Sequence, residues 1–117
     1  MNQTPSSIDF SALLEMLGGE KQIVASLLSK FVDELTTDLA ASEQAITDQN
    51  AVALRQIAHR IKGTSANLHA PMLSAAAREL EQACTEADAS LMTIKKQVMS
   101  DQARAVQEAI ERWSAES

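Results

Sequence analysis

The chain has 117 residues, a net charge of −6 at pH 7 and a pI near 4.8. This length suits one domain with one hydrophobic core and leaves no room for a nucleotide-binding catalytic domain beside it. The acidic balance argues against nonspecific binding to nucleic acid or to an anionic membrane.

The composition indicates an all-α protein. Hydrophobic residues make up 45% of the chain, with only two Phe, one Trp and no Tyr, and Gly and Pro are few. Residues 1–7 are polar and lack the apolar core of a signal peptide, and no apolar run is long enough to cross a bilayer. The sequence therefore predicts a cytoplasmic protein. The single cysteine, Cys84, lies in an apolar helical pattern and is predicted to be a small core residue.

Residues 1–7 are predicted to be a flexible leader, and residues 8–117 to form the domain. Asp9 can cap a short helix that ends at Leu17, before the helix-breaking pair Gly18-Gly19. A long amphipathic helix then runs from Glu20 to about Asp48. Four acidic residues lie mostly off its apolar face and are predicted to be solvated: Asp33, Glu34, Asp38 and Glu43.

Asp48 or Asn50 can cap the next helix, which should stop near Leu68 because Pro71 disfavours helical geometry before it. The following helix, from Met72 to about Ala87, is antiparallel to it because the turn is short. Its predicted inward residues are Leu73, Ala76, Ala77, Leu80 and Cys84.

Asp88 or Ser90 can cap a last helix that runs to the end of the chain. The residues predicted to face inward are Leu91, Ile94, Val98, Ala105, Val106, Ala109, Ile110 and Trp113. Four long helices with short connections, each with one apolar face, predict an antiparallel up-down four-helix bundle, with the short first helix packed across one end.

The most informative stretch is the helix around His59. Ile57, Ala58 and Ile61 belong to its apolar face, and at about 100° per residue His59 points away from that face toward water. Its surface neighbours three, four and seven residues away are Arg55, Gln56, Lys62, Gly63 and Ala66. A neutral imidazole is a nucleophile. If it took a phosphoryl group, Lys62 could neutralise the added charge and Gly63 would leave clearance for a partner.

The pattern resembles a histidine-containing phosphotransfer (HPt) domain of bacterial two-component phosphorelays. The resemblance is densest from Ala58-His59 through Lys62-Gly63, the small-residue run 64–68 and the turn, to Leu80-Glu81. Weaker agreement covers most of residues 8 to 110. Where the family commonly has Gly, at the end of the His-bearing helix, this chain has His69.

The resemblance implies that His59 accepts a phosphoryl group from the phospho-aspartate of one receiver domain and passes it to the aspartate of another. It implies no ATP-dependent kinase activity and no cofactor in this domain, since the receiver supplies Mg²⁺. Expected partners are response-regulator receiver domains and a hybrid sensor kinase, contacted by a monomer. The predicted partner-contacting residues share or border the His59 surface: Arg55, Gln56, Arg60, Ala66, Arg78 and Glu81.

Other interpretations stay open on the residues alone. A helical bundle could bind receiver domains without accepting phosphate. The dimerisation and phosphoacceptor part of a sensor kinase also exposes a His, but Arg60 follows His59 where those kinases usually carry an acid. A metal site is disfavoured because His59 and His69 are ten residues apart without a Cys pair.

Overall fold

The computed structural model describes residues 7–116, all of whose regular structure is helical. The predicted all-α class is therefore confirmed. Residues 1–6 of the predicted leader and Ser117 lie outside the described residues. The five helices are α1 (Phe10–Met16), α2 (Lys21–Thr47), α3 (Ala51–Asn67), α4 (Pro71–Glu86) and α5 (Ala89–Ala115).

Local sequence signals set the helix boundaries. Asp9, Asn50 and Asp88 each accept, at 3.0 Å, the backbone N–H of the residue three positions later, so each satisfies a donor that the first helical turn leaves unpaired. Pro71 takes the first position of α4, where its missing N–H has no cost. Gly18 and Gly19 both have positive φ, which separates α1 from α2 as predicted.

Helices α2 to α5 close a ring in which each packs on its sequence neighbours and α5 returns to α2. Among these described helices, the backbones of α3 and α5 do not approach each other closely, and neither do those of α2 and α4, so these two pairs are diagonal. This is the up-down bundle. The helix α1 lies at the end of the bundle that contains the α3–α4 turn. Just before α1, Asp9 N–H donates to the His69 carbonyl at 2.9 Å. Phe10 stacks on Trp113 of α5, with 5.2 Å between the ring centroids.

The core is built from aliphatic side chains of all five helices and of Ile8, which precedes α1. Every predicted inward residue of α4 is buried, and Cys84 is among them. Burial raises the pKa of its thiol. The fully buried large residues include Leu13, Leu28, Leu35, Leu54, Ile61, Leu73, Leu80 and Met99.

The predicted face of α5 is wrong in its first half. Ile94 and Val98 are 58% and 44% exposed instead of inward. The inward residues are spaced alternately by four and three positions: Met92, Lys96, Met99, Ala103, Val106 and Ile110. Lys96 is only 5% exposed. Its ammonium pairs with Glu43, whose side chain is 63% exposed and therefore solvated as predicted. The long side chain of Lys96 covers apolar surface while its charge reaches α2, and a hydropathy pattern does not reveal that.

The turn between α3 and α4 uses a left-handed residue. His69 has φ +59°, its N–H donates to the Ala66 carbonyl at 3.3 Å, and Ala70 N–H donates to the Ser65 carbonyl at 2.9 Å. These two bonds make a Schellman motif that closes α3. His69 thus occupies a position that favours Gly.

We expect His69→Gly to stabilise the domain by roughly 1 kcal/mol, because Gly removes the cost of a left-handed backbone at a residue with a Cβ. Chemical denaturation measures the free energy of unfolding. His69→Ala is the matched control: it removes the imidazole but keeps the Cβ, so it should give no gain. Equal stabilisation by both variants would mean that the imidazole, rather than the backbone, carries the strain.

Candidate functional site

His59 lies in the middle of α3, on the flank that faces α4. Its side chain is 68% exposed, as its position off the apolar stripe predicted. Ala58 and Ile61 on the same helix are buried, so the backbone beneath His59 is fixed by the core. An exposed imidazole on a rigid helix can meet the surface of another protein.

One carboxylate organises the surroundings of His59. Glu81 on α4 lies 2.8 Å, through Oε2, from His59 Nδ1, and 2.7 Å, through Oε1, from Lys62 Nζ. The Lys62 ammonium, followed by the hydrogen bond to His59, holds the pKa of Glu81 below its usual value. Glu81 is therefore an anion at neutral pH.

The ionised Glu81 determines which nitrogen of His59 carries the proton. A carboxylate only accepts hydrogen bonds, so the 2.8 Å contact requires an N–H at Nδ1. In the neutral imidazole the lone pair then lies on Nε2. Because the side chain is exposed, Nε2 is the nucleophilic atom available to a partner.

Gly63 follows Lys62 on the exposed surface of α3. A Cβ built at this position would meet nothing within 4 Å, and Gly63 does not have positive φ. Neither packing nor backbone conformation within the domain therefore requires glycine. The predicted role in clearance concerns a partner surface.

The prediction that Asp38 is solvated is wrong. Asp38 is 9% exposed and binds Arg60 of α3, with 2.6 Å between Oδ1 and Nη2 and 3.3 Å between Oδ2 and Nε. This pairing raises the pKa of the Arg60 guanidinium. Arg60 is thus held toward α2, on the side of α3 away from Glu81.

Eight of the nine predicted site residues line two depressions, and Gly63 lines neither of them. The His59 depression, of about 410 Å³, is lined by Arg55, Gln56, His59, Arg60 and Glu81. The α3–α4 depression, of about 450 Å³, contains Lys62, Ala66, Arg78, His69 and Ser74 among its lining residues. Glu81 connects the two through its bonds to His59 and Lys62. Whether any of these residues contacts a partner stays a prediction.

Sequence reasoning left two partnerships unassigned. Glu81 was expected to border the His59 surface, but its bond to His59 was not predicted, and Glu79 on the same helix instead binds Lys95 of α5 at 2.7 Å. The contact between Asp38 and Arg60 was not predicted either. Both contacts could have been found by counting residues from the turns, because residues equally far from the turn of an antiparallel helix pair lie side by side. His59 and Glu81 are both eleven residues from Ala70, and Asp38 and Arg60 are both eleven residues from Gln49.

Within residues 7–116, no three His, Cys, Asp or Glu side chains are grouped so that they could hold a metal ion. No helix there has the length and apolar character needed to cross a membrane.

Both the fold and the sequence of this chain are similar to those of known proteins. The structure is similar to the crystal structure of histidine-containing phosphotransfer protein B (HptB) from Pseudomonas aeruginosa PAO1, with a TM-score of 0.87 and 22% identity. The similarity covers 97% of this chain and 99% of HptB. A comparison with curated protein sequences gives no match. The family model of the Hpt domain matches residues 26–116, so the chain belongs to the Hpt domain family.

Proposed function

We propose that this protein relays a phosphoryl group between receiver domains. His59 accepts it from the phospho-aspartate of one receiver and passes it to the aspartate of another. The protein acts as a phosphotransfer intermediate with no ATP-dependent kinase activity of its own. Membership of the Hpt family supports histidine phosphotransfer in a two-component system, and the geometry around His59 supports the specific route.

The chemical step follows from the tautomer. His59 Nε2 attacks the phosphorus of the acyl phosphate, a P–N bond forms, the P–O bond breaks, and the aspartate leaves as a carboxylate. The ring keeps its Nδ1 proton and therefore gains positive charge as the phosphoryl group arrives. Glu81 is already an anion bonded to that N–H, so it stabilises the charge that develops. The reverse reaction delivers the group to the second receiver.

The other site residues fit supporting roles. Lys62 Nζ, held by Glu81 Oε1 at 2.7 Å, lies one helical turn from His59 and can neutralise phosphoryl oxygens. Gly63 leaves the partner free to approach the ring. Mg²⁺ is supplied by the receiver, where it stabilises the charge of the acyl phosphate. The protein functions as a cytoplasmic monomer, and a hybrid sensor kinase is a further candidate partner.

The observation that carries the proposal is the exposed imidazole whose Nδ1 is bonded to Glu81 at 2.8 Å. An ordinary surface histidine does not require an ionised partner that fixes its tautomer, whereas a nucleophilic histidine benefits from one. The arrangement leaves one nucleophilic nitrogen directed outward from a rigid helix, as direct transfer between two proteins requires.

The test is transfer from isolated receiver domains. The purified protein is mixed with phosphorylated receivers and Mg²⁺, without ATP, and the modified residue is located by mass spectrometry. Acid-labile label on His59 is the expected result. Receivers that bind but never transfer would favour a non-transferring interaction module, and a dimer in sedimentation would favour a sensor-kinase phosphoacceptor unit.

We expect Glu81→Ala to slow transfer to His59 by about 10- to 100-fold, since one charge-assisted hydrogen bond to the developing cation is lost. Glu81→Gln keeps an acceptor but not the charge, so its loss should be smaller. The ¹⁵N chemical shifts of the His59 ring report its tautomer, and we expect them to change in Glu81→Ala. If Glu81 had only a structural role, the shifts would be the same in the native protein and in the variant.

Glu79→Ala is the matched control for Glu81→Ala. It removes a carboxylate from the same helix, but one that binds Lys95 on the opposite flank. We expect this variant to transfer at the native rate. An equal loss in both variants would mean that α4 charge or stability, rather than the bond to His59, sets the rate.

A further inference from the structure

Two arginines on the surface formed by α3 and α4 have no carboxylate partner among the described residues. Arg55 and Arg78 are both exposed, and within residues 7–116 neither forms an ion pair, whereas Arg60 and Lys62 do. The Glu79 carboxylate is bonded to Lys95, which lowers the pKa of Glu79 most, and the neighbouring Arg78 helps to lower it. In a chain of net charge −6, these two arginines add positive charge to the surface that contains His59.

These arginines lie at opposite ends of the network formed by His59, Glu81 and Lys62. Arg55 is one turn before His59 on α3 and lines the His59 depression. Arg78 is one turn before Glu81 on the antiparallel α4, level with Lys62, and lines the α3–α4 depression. At 1.5 Å rise per residue, the two positions are about 10 Å apart along the bundle.

The sign of the charge changes across α3. The groove between α2 and α3, of about 370 Å³, is lined by Asp33, Glu34 and Asp38, and its one cation, Arg60, is bonded to Asp38. On the side of α4, Asp9 also lines the α3–α4 depression, but its carboxylate caps α1, and the depression holds the two cations Lys62 and Arg78. An acidic partner surface is therefore repelled on the α2 side and attracted on the α4 side. The surface therefore has a defined polarity around His59.

We infer that Arg55 and Arg78 are two docking points for carboxylates on the partner receiver, about 10 Å apart and on either side of its phosphorylated aspartate. This inference rests on the proposed function. One charge contact would leave the receiver free to rotate about His59, whereas two fix its orientation along the α3–α4 seam. They also select receivers that carry acidic groups at that spacing.

The test uses the receiver domain that phosphorylates the native protein, charged with acetyl phosphate. The second-order rate of transfer is measured at about 10 mM and about 150 mM ionic strength, where the screening lengths differ several-fold. Arg55→Glu and Arg78→Glu should each lower the rate at low salt by about 10-fold and flatten its salt dependence. The rate at saturating receiver should change by less than about two-fold.

Arg112→Glu is the control, because it makes the same charge change near the end of α5, which lies diagonally across the bundle from α3. It should leave the rate and its salt dependence unchanged. Native transfer with Arg55→Glu and Arg78→Glu behaving like Arg112→Glu would overturn this inference alone. Absence of transfer to the native protein from every receiver would overturn the proposed function as well.

Discussion

Replacing His59 by Gln will abolish phosphoryl transfer to this protein and leave its fold intact. The amide of Gln has no nucleophilic nitrogen, so the P–N bond cannot form and the rate should fall by at least about 1,000-fold. The side chain is 68% exposed and its one hydrogen-bond partner among the described residues is Glu81. We therefore expect the free energy of unfolding to change by less than about 0.5 kcal/mol.

Mass spectrometry after incubation with a phosphorylated receiver checks the loss, and chemical denaturation checks the fold. The sequence supplies a matched control, because His69 is its one other histidine. His69→Gln makes the same substitution in the α3–α4 turn and should keep full labelling. Label that persisted in His59→Gln but disappeared in His69→Gln would move the phosphoacceptor to the turn.

Helix positions and the exposure of His59 could be predicted because both depend on local information. Asp9 and Asn50 satisfy the first turns of α1 and α3, and Pro71 opens α4, all within a few residues of the boundary that they set. The exposure of His59 follows from its angle to Ile57 and Ile61, which one helix fixes by itself.

Contacts between helices could not be predicted in the same way, because they depend on how each helix is rotated against its neighbours. Glu79 and Glu81 flank the apolar stripe of α4 on opposite sides, and periodicity does not say which flank meets α3. The rotation of α5 about its own axis was mispredicted for the same reason. Lys96 lies on its inward face, and a pattern that assigns inward positions to apolar residues selected Ile94 and Val98 instead.

Substitutions at Gly63 will have opposite effects on stability and on transfer. Glycine in the interior of an exposed helix costs about 1 kcal/mol relative to Ala, and a Cβ here would meet nothing within 4 Å. Gly63→Ala should therefore stabilise the domain by about 1 kcal/mol, and Gly63→Gln by somewhat less. If a receiver closes over His59, the Gln side chain must clash with it. A clash of about 1.4 to 2.7 kcal/mol weakens association 10- to 100-fold.

Denaturation and receiver-dependent transfer measured on the same preparations separate the two effects. Thr93→Gln is the control, since it puts the same side chain on the exposed surface of α5, beside the first turn of α3 and more than two helical turns from Gly63. It should transfer at the native rate. Gly63→Gln that is both more stable and fully active would show that the receiver does not approach this turn of α3. If Gly63→Gln is more stable than the native protein but transfers slowly, Gly63 lowers the stability of the domain and gives the receiver access to the His59 imidazole. No contact within the domain requires glycine at this position.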